Sequence, residues 1–286
     1  MDYNLQKYIA FITAVDNGSI TGASEILNYS QSGISRMIGD LEKDWQMSLL
    51  ERNKYGVELT SDGVRLLPQI RAVCNEFQKL TTDVEELQGL ETGLIRIGTI
   101  SSVATHVLPP VIQKFKSDYK GVKYELLLGD YNEIEEWVQS GRVDIGFVLM
   151  PTKDSFDTIT YGTDEMKIVL PKDHPLCEYE RIPLAEIEKY PFILQEKDNN
   201  TSSREFFLKN GINLRVDFAT WDDYAIMSMV ESGLGISVLP ELILKRCSYD
   251  IEIKSLEEPF IREMGIIMKD RERLPIAVKR LLKYLV

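Results

Sequence analysis

Ser30-Gln31-Ser32-Gly33-Ile34-Ser35-Arg36-Met37-Ile38-Gly39-Asp40-Leu41-Glu42-Lys43-Asp44-Trp45 decides how the chain is read. Ser30 is a good N-cap, because its hydroxyl can accept from the unpaired amides of a first helical turn. Ile34, Ile38, Leu41 and Trp45 recur at spacings of four, three and four, which predicts a helix with one buried face. The opposite face carries Ser32, Ser35, Arg36 and Gly39: short, polar and nearly flat, with one long cation. A face meant only for water more often carries Glu and Lys, so this one asks for a partner.

Upstream residues point to nucleic acid as that partner. Ser19 can cap a short helix over Ile20 to Leu27, and Ala23 is small enough for a close helix crossing. Asn28-Tyr29 breaks the chain before Ser30. Helix, short turn and second helix with polar outer residues is the helix-turn-helix arrangement, whose second helix enters the major groove. The run Gly18-Ser19-Ile20, Ala23-Ser24-Glu25-Ile26-Leu27, Ser30 to Arg36, Leu41-Glu42, Leu49, Arg52, Leu59-Thr60 and Gly63 resembles the LysR-type transcriptional regulators. The chain departs from that pattern at Gly22, Trp45-Gln46 and Leu50, where Ala, Leu-Gly and Phe are usual. On this reading Ser30, Gln31, Ser32, Ser35 and Arg36 are the candidate DNA contacts, with Lys54 at the tip of a hairpin wing, Leu49 to Arg52 and Val57 to Leu59, turned by Gly56.

Before the recognition segment, Leu5, Tyr8, Ile12 and Val15 mark a first helix stopped by Asn17-Gly18. After the wing, Thr60 or Ser61 caps a long helix. Leu66, Ile70, Val73, Phe77, Leu80, Val84 and Leu87 alternate at four and three, the seam of a coiled coil, so dimerisation is expected along it. Pro68 inside that helix predicts a kink or a late start. The resemblance further implies a tetramer built as a dimer of dimers.

From residue 91 the composition changes. Strands over Leu94 to Ile100, Val122 to Leu128 and Val143 to Val148 alternate with helices, and a second unit follows with strands at Met166 to Leu170, Phe192 to Gln195, Leu214 to Ala219 and Ile236 to Leu239. Alternation of this kind predicts a parallel-type sheet flanked by helices. Leu108-Pro109, Phe115, Gly141-Arg142-Val143-Asp144-Ile145, Asp173-His174-Pro175-Leu176 and Gly233-Leu234-Gly235-Ile236 with Pro240 resemble the effector-binding domain of the same family, which has the fold of type 2 periplasmic binding proteins. The expected plan is a winged helix-turn-helix over 1–62, a linker helix over 63–90 and a two-lobed α/β domain over 91–286. Lobe I takes 91–162 and 266–286, and lobe II takes 163–265.

In two-lobed α/β proteins a ligand sits between the lobes, outside the carboxyl ends of strands. Ser101-Ser102 in lobe I and Thr201-Ser202 in lobe II are hydroxyl-bearing helix starts, and free amides with the helix dipole favour an anion there. As plain helix caps the same residues need no ligand. Gln195 and Trp221 can add an amide contact and an aromatic wall, and Phe147 a second aromatic neighbour. A small anionic metabolite is therefore the expected effector.

Composition bounds the alternatives. The chain has 286 residues, 44% hydrophobic and 27% charged, as in soluble globular proteins, and carries no apolar run long enough for a bilayer and no signal-peptide start. Cys74, Cys177 and Cys247, odd in number and far apart, read as reduced thiols of a cytoplasmic protein. Two histidines, His106 and His174, no Cys/His metal spacing, no P-loop and no Gly-x-Ser-x-Gly elbow leave the enzyme reading without a constellation, and no cofactor is expected. Net charge is −12, and residues 1–90 hold 8 Lys+Arg against 13 Asp+Glu. That acidity favours one alternative, a small-molecule-binding protein whose N-terminal module serves dimerisation or protein interaction.

Overall fold

Local capping sets the N-terminal elements. The computed structural model describes residues 4–53, 56–87, 92–152, 156–196 and 202–285, so Lys54 and Thr201 lie outside the described residues. Helices α1 (Leu5–Asp16), α2 (Ile20–Leu27) and α3 (Gln31–Trp45) precede a hairpin of β1 (Leu50–Asn53) and β2 (Gly56–Leu59). Ser19 Oγ accepts from Gly22 N at 3.2 Å and Ser30 Oγ from Gly33 N at 3.0 Å, so both caps form as the residue types require. Ala10, Phe11, Ala14, Ala23, Ile34, Ile38, Leu41 and Leu49 make the buried core of this module. Trp45 is only half-buried and packs on Tyr8 with ring centroids 5.8 Å apart. Gly56 holds the wing against the helical turn: Val57 N donates to Gly18 O at 3.0 Å, and a Cβ on Gly56 would lie 2.1 Å from that oxygen.

The linker helix α4 (Ser61–Leu87) starts beside Thr60, whose Oγ1 accepts from Gly63 N at 3.0 Å. It runs through Pro68 without the late start expected there. Its apolar stripe divides in two. Leu66 and Ile70 pack into the winged-helix core, whereas Val73, Phe77, Leu80 and Val84 are exposed, Phe77 by 54%.

The remaining chain supplies β3 (Thr92–Thr99), α5 (Ser101–His106), α6 (Leu108–Asp118), β4 (Gly121–Leu128), α7 (Tyr131–Ser140), β5 (Ile145–Leu149) and the long β6 (Asp157–Pro171). Then come β7 (Arg181–Ile182), α8 (Leu184–Ile187), β8 (Pro191–Gln195), α9 (Ser202–Lys209), β9 (Arg215–Thr220), α10 (Asp223–Glu231), β10 (Ser237–Pro240), α11 (Glu241–Leu244), β11 (Ile251–Leu256), β12 (Ile261–Met268) and α12 (Ile276–Leu285). In lobe I the strand order is β4-β3-β5-β12-β6, with the first three parallel and β12 antiparallel to both its neighbours. In lobe II β6 continues antiparallel to β10 and β11, and β8 pairs in parallel with β9 and through a bridge at Phe192 with Ile236. The eight-stranded sheet shared by the two lobes is therefore mixed, whereas β8–β9 is parallel.

β6 passes through both lobes. Asp157 to Glu165 pair with β12, and Met166 onward pair with β10 and β11. The exchange thus falls at Glu165/Met166, and 163–165 together with 261–265 hydrogen-bond as part of lobe I. Gly141 closes α7 in the left-handed conformation at φ 73°, and Asp144 Oδ2 accepts from Arg96 N at 2.8 Å, tying the start of β5 to β3.

Candidate nucleic-acid interface and effector cleft

On α3 the exposed face begins at the N-cap. Ser30, Gln31, Ser32 and Arg36 are exposed and Ser35 is half-buried. The Arg36 side chain is 85% exposed and only 3.9 Å from Asp40, one turn on, a surface pair of small energy. Beside it sits a residue that sequence reasoning left out of the contacts. Arg52 of the wing donates from Nη1 to Ser35 Oγ at 2.7 Å and lies 3.8 Å from Glu42. Glu42 Oε1 in turn accepts from Leu49 N and Leu50 N at 2.8 and 3.1 Å, so one carboxylate fixes the start of the wing and aims its arginine along the recognition helix. Arg52 belongs to the quoted family pattern, and its position at the end of the first strand-like run was the available signal.

Between the lobes lies a cavity of about 340 Å³, within the range of small-ligand sites. Ser101 and Ser102 reach it from the start of α5, Ser202 and Ser203 from the start of α9, and Gln195 and Trp221 from strand ends of lobe II. Ser101 and Ser102 are not caps: the N-cap of α5 is Ile100, without a side-chain hydrogen bond. Phe147 is the correction. It is buried in the lobe I core, edge-on to Tyr161 at 5.5 Å, and does not border the cavity. Alternation along the central strand β5 turns it, with Ile145, toward α6 and α12, while Val148 faces α7.

The centre of the cleft is Arg262, on β12. It is buried, as is Asp164 on β6, and its Nη2 and Nε donate to Asp164 Oδ2 at 2.6 and 3.2 Å. Asp164 Oδ1 accepts from Leu242 N at 3.0 Å, which brings α11 into the same network. Arg262 also donates to Tyr131 Oη at 3.0 Å and to Ser102 Oγ at 3.5 Å. Strand pairing, not local sequence, assembles this group: Arg262 and Asp164 are cross-strand partners 98 residues apart. Its one local signal was an arginine, beside Glu263, at the head of the apolar run Met264 to Met268.

Asp223 borders the same cavity and is 8% exposed. Its Oδ1 accepts from Gln195 Nε2 at 2.5 Å. Burial, with a smaller contribution from neighbouring Asp222, pushes its carboxyl up to about 6, against the opposing pull of Arg262 and the Gln195 bond. Asp222, not Asp223, caps α10, accepting from Ala225 N at 2.7 Å. Away from the cleft, burial pushes the Cys74 thiol up to about 11, which suits an inert thiol. Among the described residues no cluster of His, Cys, Asp or Glu suits a metal ion, and no helix is long and apolar enough to cross a membrane.

Comparison with known proteins agrees with these two modules. Residues 5–64 match the bacterial regulatory helix-turn-helix model of the lysR family, and residues 88–286 match the LysR substrate binding domain. A probable HTH-type transcriptional regulator, LrrA of Synechococcus elongatus, is 31% identical over 92% of this chain and 89% of its own. An uncharacterized HTH-type transcriptional regulator of Bacillus subtilis, YvbU, is 28% identical over 94% and 93%. Among solved structures, a full-length OxyR variant from Pseudomonas aeruginosa superposes with a TM-score of 0.77 at 18% identity, covering 100% of this chain and 95% of that one. Full-length CbnR complexed with its target DNA superposes at 0.70 and 18%, covering 99% and 98%. With both family models matched in order along almost its whole length, the chain belongs to the LysR family of bacterial transcriptional regulators.

Proposed function

We propose that α3 lies in the major groove of operator DNA, with Gln31, Ser32, Ser35 and Arg36 facing the bases and phosphates and Ser30 at the helix start beside the backbone. Arg52 and Lys54 of the wing accompany it on the adjoining phosphates. The observation that carries the reading is the division of α3 itself: Ile34, Ile38 and Leu41 are buried, while Gln31, Ser32 and Arg36 stand in solvent with Arg52 laid alongside. The DNA-bound CbnR structure supports it. Arg36→Ala should weaken specific binding by about 1–3 kcal/mol if the guanidinium reads a base. Fluorescence anisotropy on the intergenic DNA upstream of the chain's own gene measures this, and a folded variant with unchanged affinity refutes the assignment.

The cleft takes a small metabolite. β6 runs continuously past the junction and the chain returns through 257–260 into β12, so the lobes can change their separation about these two crossings. A ligand touching Ser101, Ser102 and Arg262 from one side and Gln195, Ser202 and Trp221 from the other favours the closed separation, and it shifts the protein only by its preference for that geometry. A tenfold preference equals about 1.4 kcal/mol. The exposed stripe of α4 pairs two copies, which matches a two-half-site operator, and two such dimers make the tetramer. Neither site is assigned a catalytic step.

A further inference from the structure

The stretch Gly141-Arg142-Val143-Asp144-Ile145 lies at the end of α7 away from the effector cleft, and there it meets the DNA-binding module. Asp16 is the last residue of α1, where the negative end of the helix dipole disfavours a carboxylate. Two guanidiniums from other parts of the chain compensate it. Buried Arg71 of α4 donates to one oxygen from Nη1 at 3.1 Å and to the other from Nη2, and Arg142 of lobe I stands 3.8 Å away. The Arg142 guanidinium also lies over the Trp137 ring of α7, 5.5 Å from its centroid.

Beside this contact lobe I is seated on the linker helix. Asn75 and Gln78, three residues apart on one face of α4, both accept from Arg96 of β3: Nη1 donates to Asn75 Oδ1 at 3.4 Å and Nη2 to Gln78 Oε1. Asn75 Nδ2 in turn donates to Gly141 O at 2.9 Å. Little slack remains, since a Cβ on Gly141 would lie 3.0 Å from that nitrogen.

The other end of α7 borders the cleft through Asp130, Tyr131 and Asn132. Its 10 residues, at about 1.5 Å each, separate the two ends by roughly 15 Å. The helix is closed by the capping box of Asp130 with Glu133 at one end and by Arg142 N donating to Trp137 O at 2.8 Å at the other. Ile134 and Val138 pack with Val148 of β5 and Ile267 of β12, so α7 shifts as a rod within a close-packed layer. Contacts then run unbroken from the strand crossing to α1. Asp164 accepts from Arg262 at 2.6 Å, Arg262 donates to Tyr131 Oη at 3.0 Å, Tyr131 opens α7, and Arg142 just past its end faces Asp16.

We propose, resting on the cleft and α3 assignments above, that α7 couples the two sites and that Arg142 passes a change in lobe separation to Asp16 of the DNA-binding module. A change at the crossing that moves Tyr131 moves the Arg142 end with it. A part-exposed pair at 3.8 Å is weak enough for such a shift to make or break it. Arg142 does not border the cleft, so it acts as a positioning residue. Coupling between sites is reciprocal: if the ligand acts on DNA binding through α7, DNA acts on the cleft by the same route.

Hydrogen–deuterium exchange of the full-length protein, alone and saturated with the intergenic DNA upstream of its own gene, tests this. DNA should protect α3 and change exchange over 129–142 and 99–107 by about fivefold or more, the low end of ordinary coupling. In Arg142→Ala, DNA should still protect α3 while the changes at 129–142 and 99–107 fall away. Comparing the variant with and without DNA separates lost coupling from a purely structural effect of the substitution. Asn75→Ala decides in the same way should Arg142→Ala fail to fold. Tyr131→Phe, which cuts the contact with Arg262, should keep the response of 129–142 and lose that of 99–107. Protection of α3 with no change at 129–142 overturns the coupling and leaves the DNA reading standing, as does a full response in Arg142→Ala. A response of the unsubstituted protein that stops at 129–142 overturns it too, because it does not reach the cleft. DNA that leaves α3 unprotected overturns the α3 assignment and the coupling with it.

Discussion

Replacing Asp223 by Asn should stabilise the protein without its ligand, by an amount that depends on pH in a definite direction. The Asp223 carboxyl is raised from 3.8 to about 6, chiefly by burial. Asp222 at the start of α10 adds to the rise, while Arg262 on β12 and the Gln195 amide on β8 oppose it, and the buried Tyr131 phenol on α7 faces the same charges. A carboxylate with a raised folded pKa destabilises the fold when ionised. That cost is absent below the unfolded value near 4, grows between about 4 and 6, and is complete above 6. Two units correspond to about 3 kcal/mol. Asn keeps the shape and the acceptor for Gln195 but carries no charge to desolvate, so it should remove most of that cost at pH 8 and almost none at pH 4. For a domain of this size each kcal/mol moves the midpoint by about 2–4 °C, which gives a rise on the order of 5–10 °C at pH 8. Differential scanning calorimetry of both proteins at pH 4, 6 and 8 measures it. A variant less stable at pH 8, or a difference that does not shrink on acidification, would show that the apo site does not strain its carboxylate and that this reasoning is wrong.

Three further outcomes follow from the same geometry. Phe77→Glu places a charge in the exposed part of the α4 stripe and should release monomers; sedimentation velocity showing an undiminished dimer would move the interface elsewhere. DNA affinity should fall only gently with salt, with a log–log slope of about −5.4 for a dimer using Arg36, Arg52 and Lys54 of each protomer, at −0.9 per phosphate neutralised. A slope near −10 would mean that other lysines wrap the duplex. Arg262→Met strands the buried Asp164 carboxylate and should cost about 3–5 kcal/mol in denaturant unfolding, so a loss below about 1 kcal/mol would deny the pair its structural role.

What could be read in advance divides by range. Ser19, Ser30 and Thr60 act within three residues of themselves, and the helices they open begin where those side chains say. The β/α alternation of lobe I is legible for a similar reason, because each apolar run stands between its own turn residues. The segment 157–165 was not legible: Asp157-Thr158-Ile159-Thr160-Tyr161-Gly162-Thr163-Asp164-Glu165 holds few apolar residues, and its strand exists because β12 pairs along it. The site followed the same rule. Ser101, Ser102 and Ser202 stand at helix starts and could be placed, whereas Arg262 meets Asp164 only across strands distant in the sequence. Phe147 was misplaced because position along a strand near the cleft does not say which face it takes.

The acidity of the chain, which argued against DNA, looks different once each carboxylate is given its neighbours. Asp16 is gripped by Arg71, with Arg142 at 3.8 Å, joining α1, the linker helix and lobe I at a point off the exposed face of α3. Asp44 is paired with Lys7 at 3.2 Å, and Glu42 binds two wing amides while holding Arg52. Three of the acids counted against the N-terminal module are therefore engaged in holding its parts together, and one of them positions a cation for the duplex. The remaining charges act through salt, where screening limits them to roughly 8 Å, so contact geometry at α3 outweighs the total. In the cleft the same test runs the other way. Asp223 takes one bond from Gln195 and the pull of Arg262, itself paired with Asp164, and burial still holds its carboxyl raised. Net charge alone misjudges such a surface; what a face can take depends on whether each of its carboxylates is already matched.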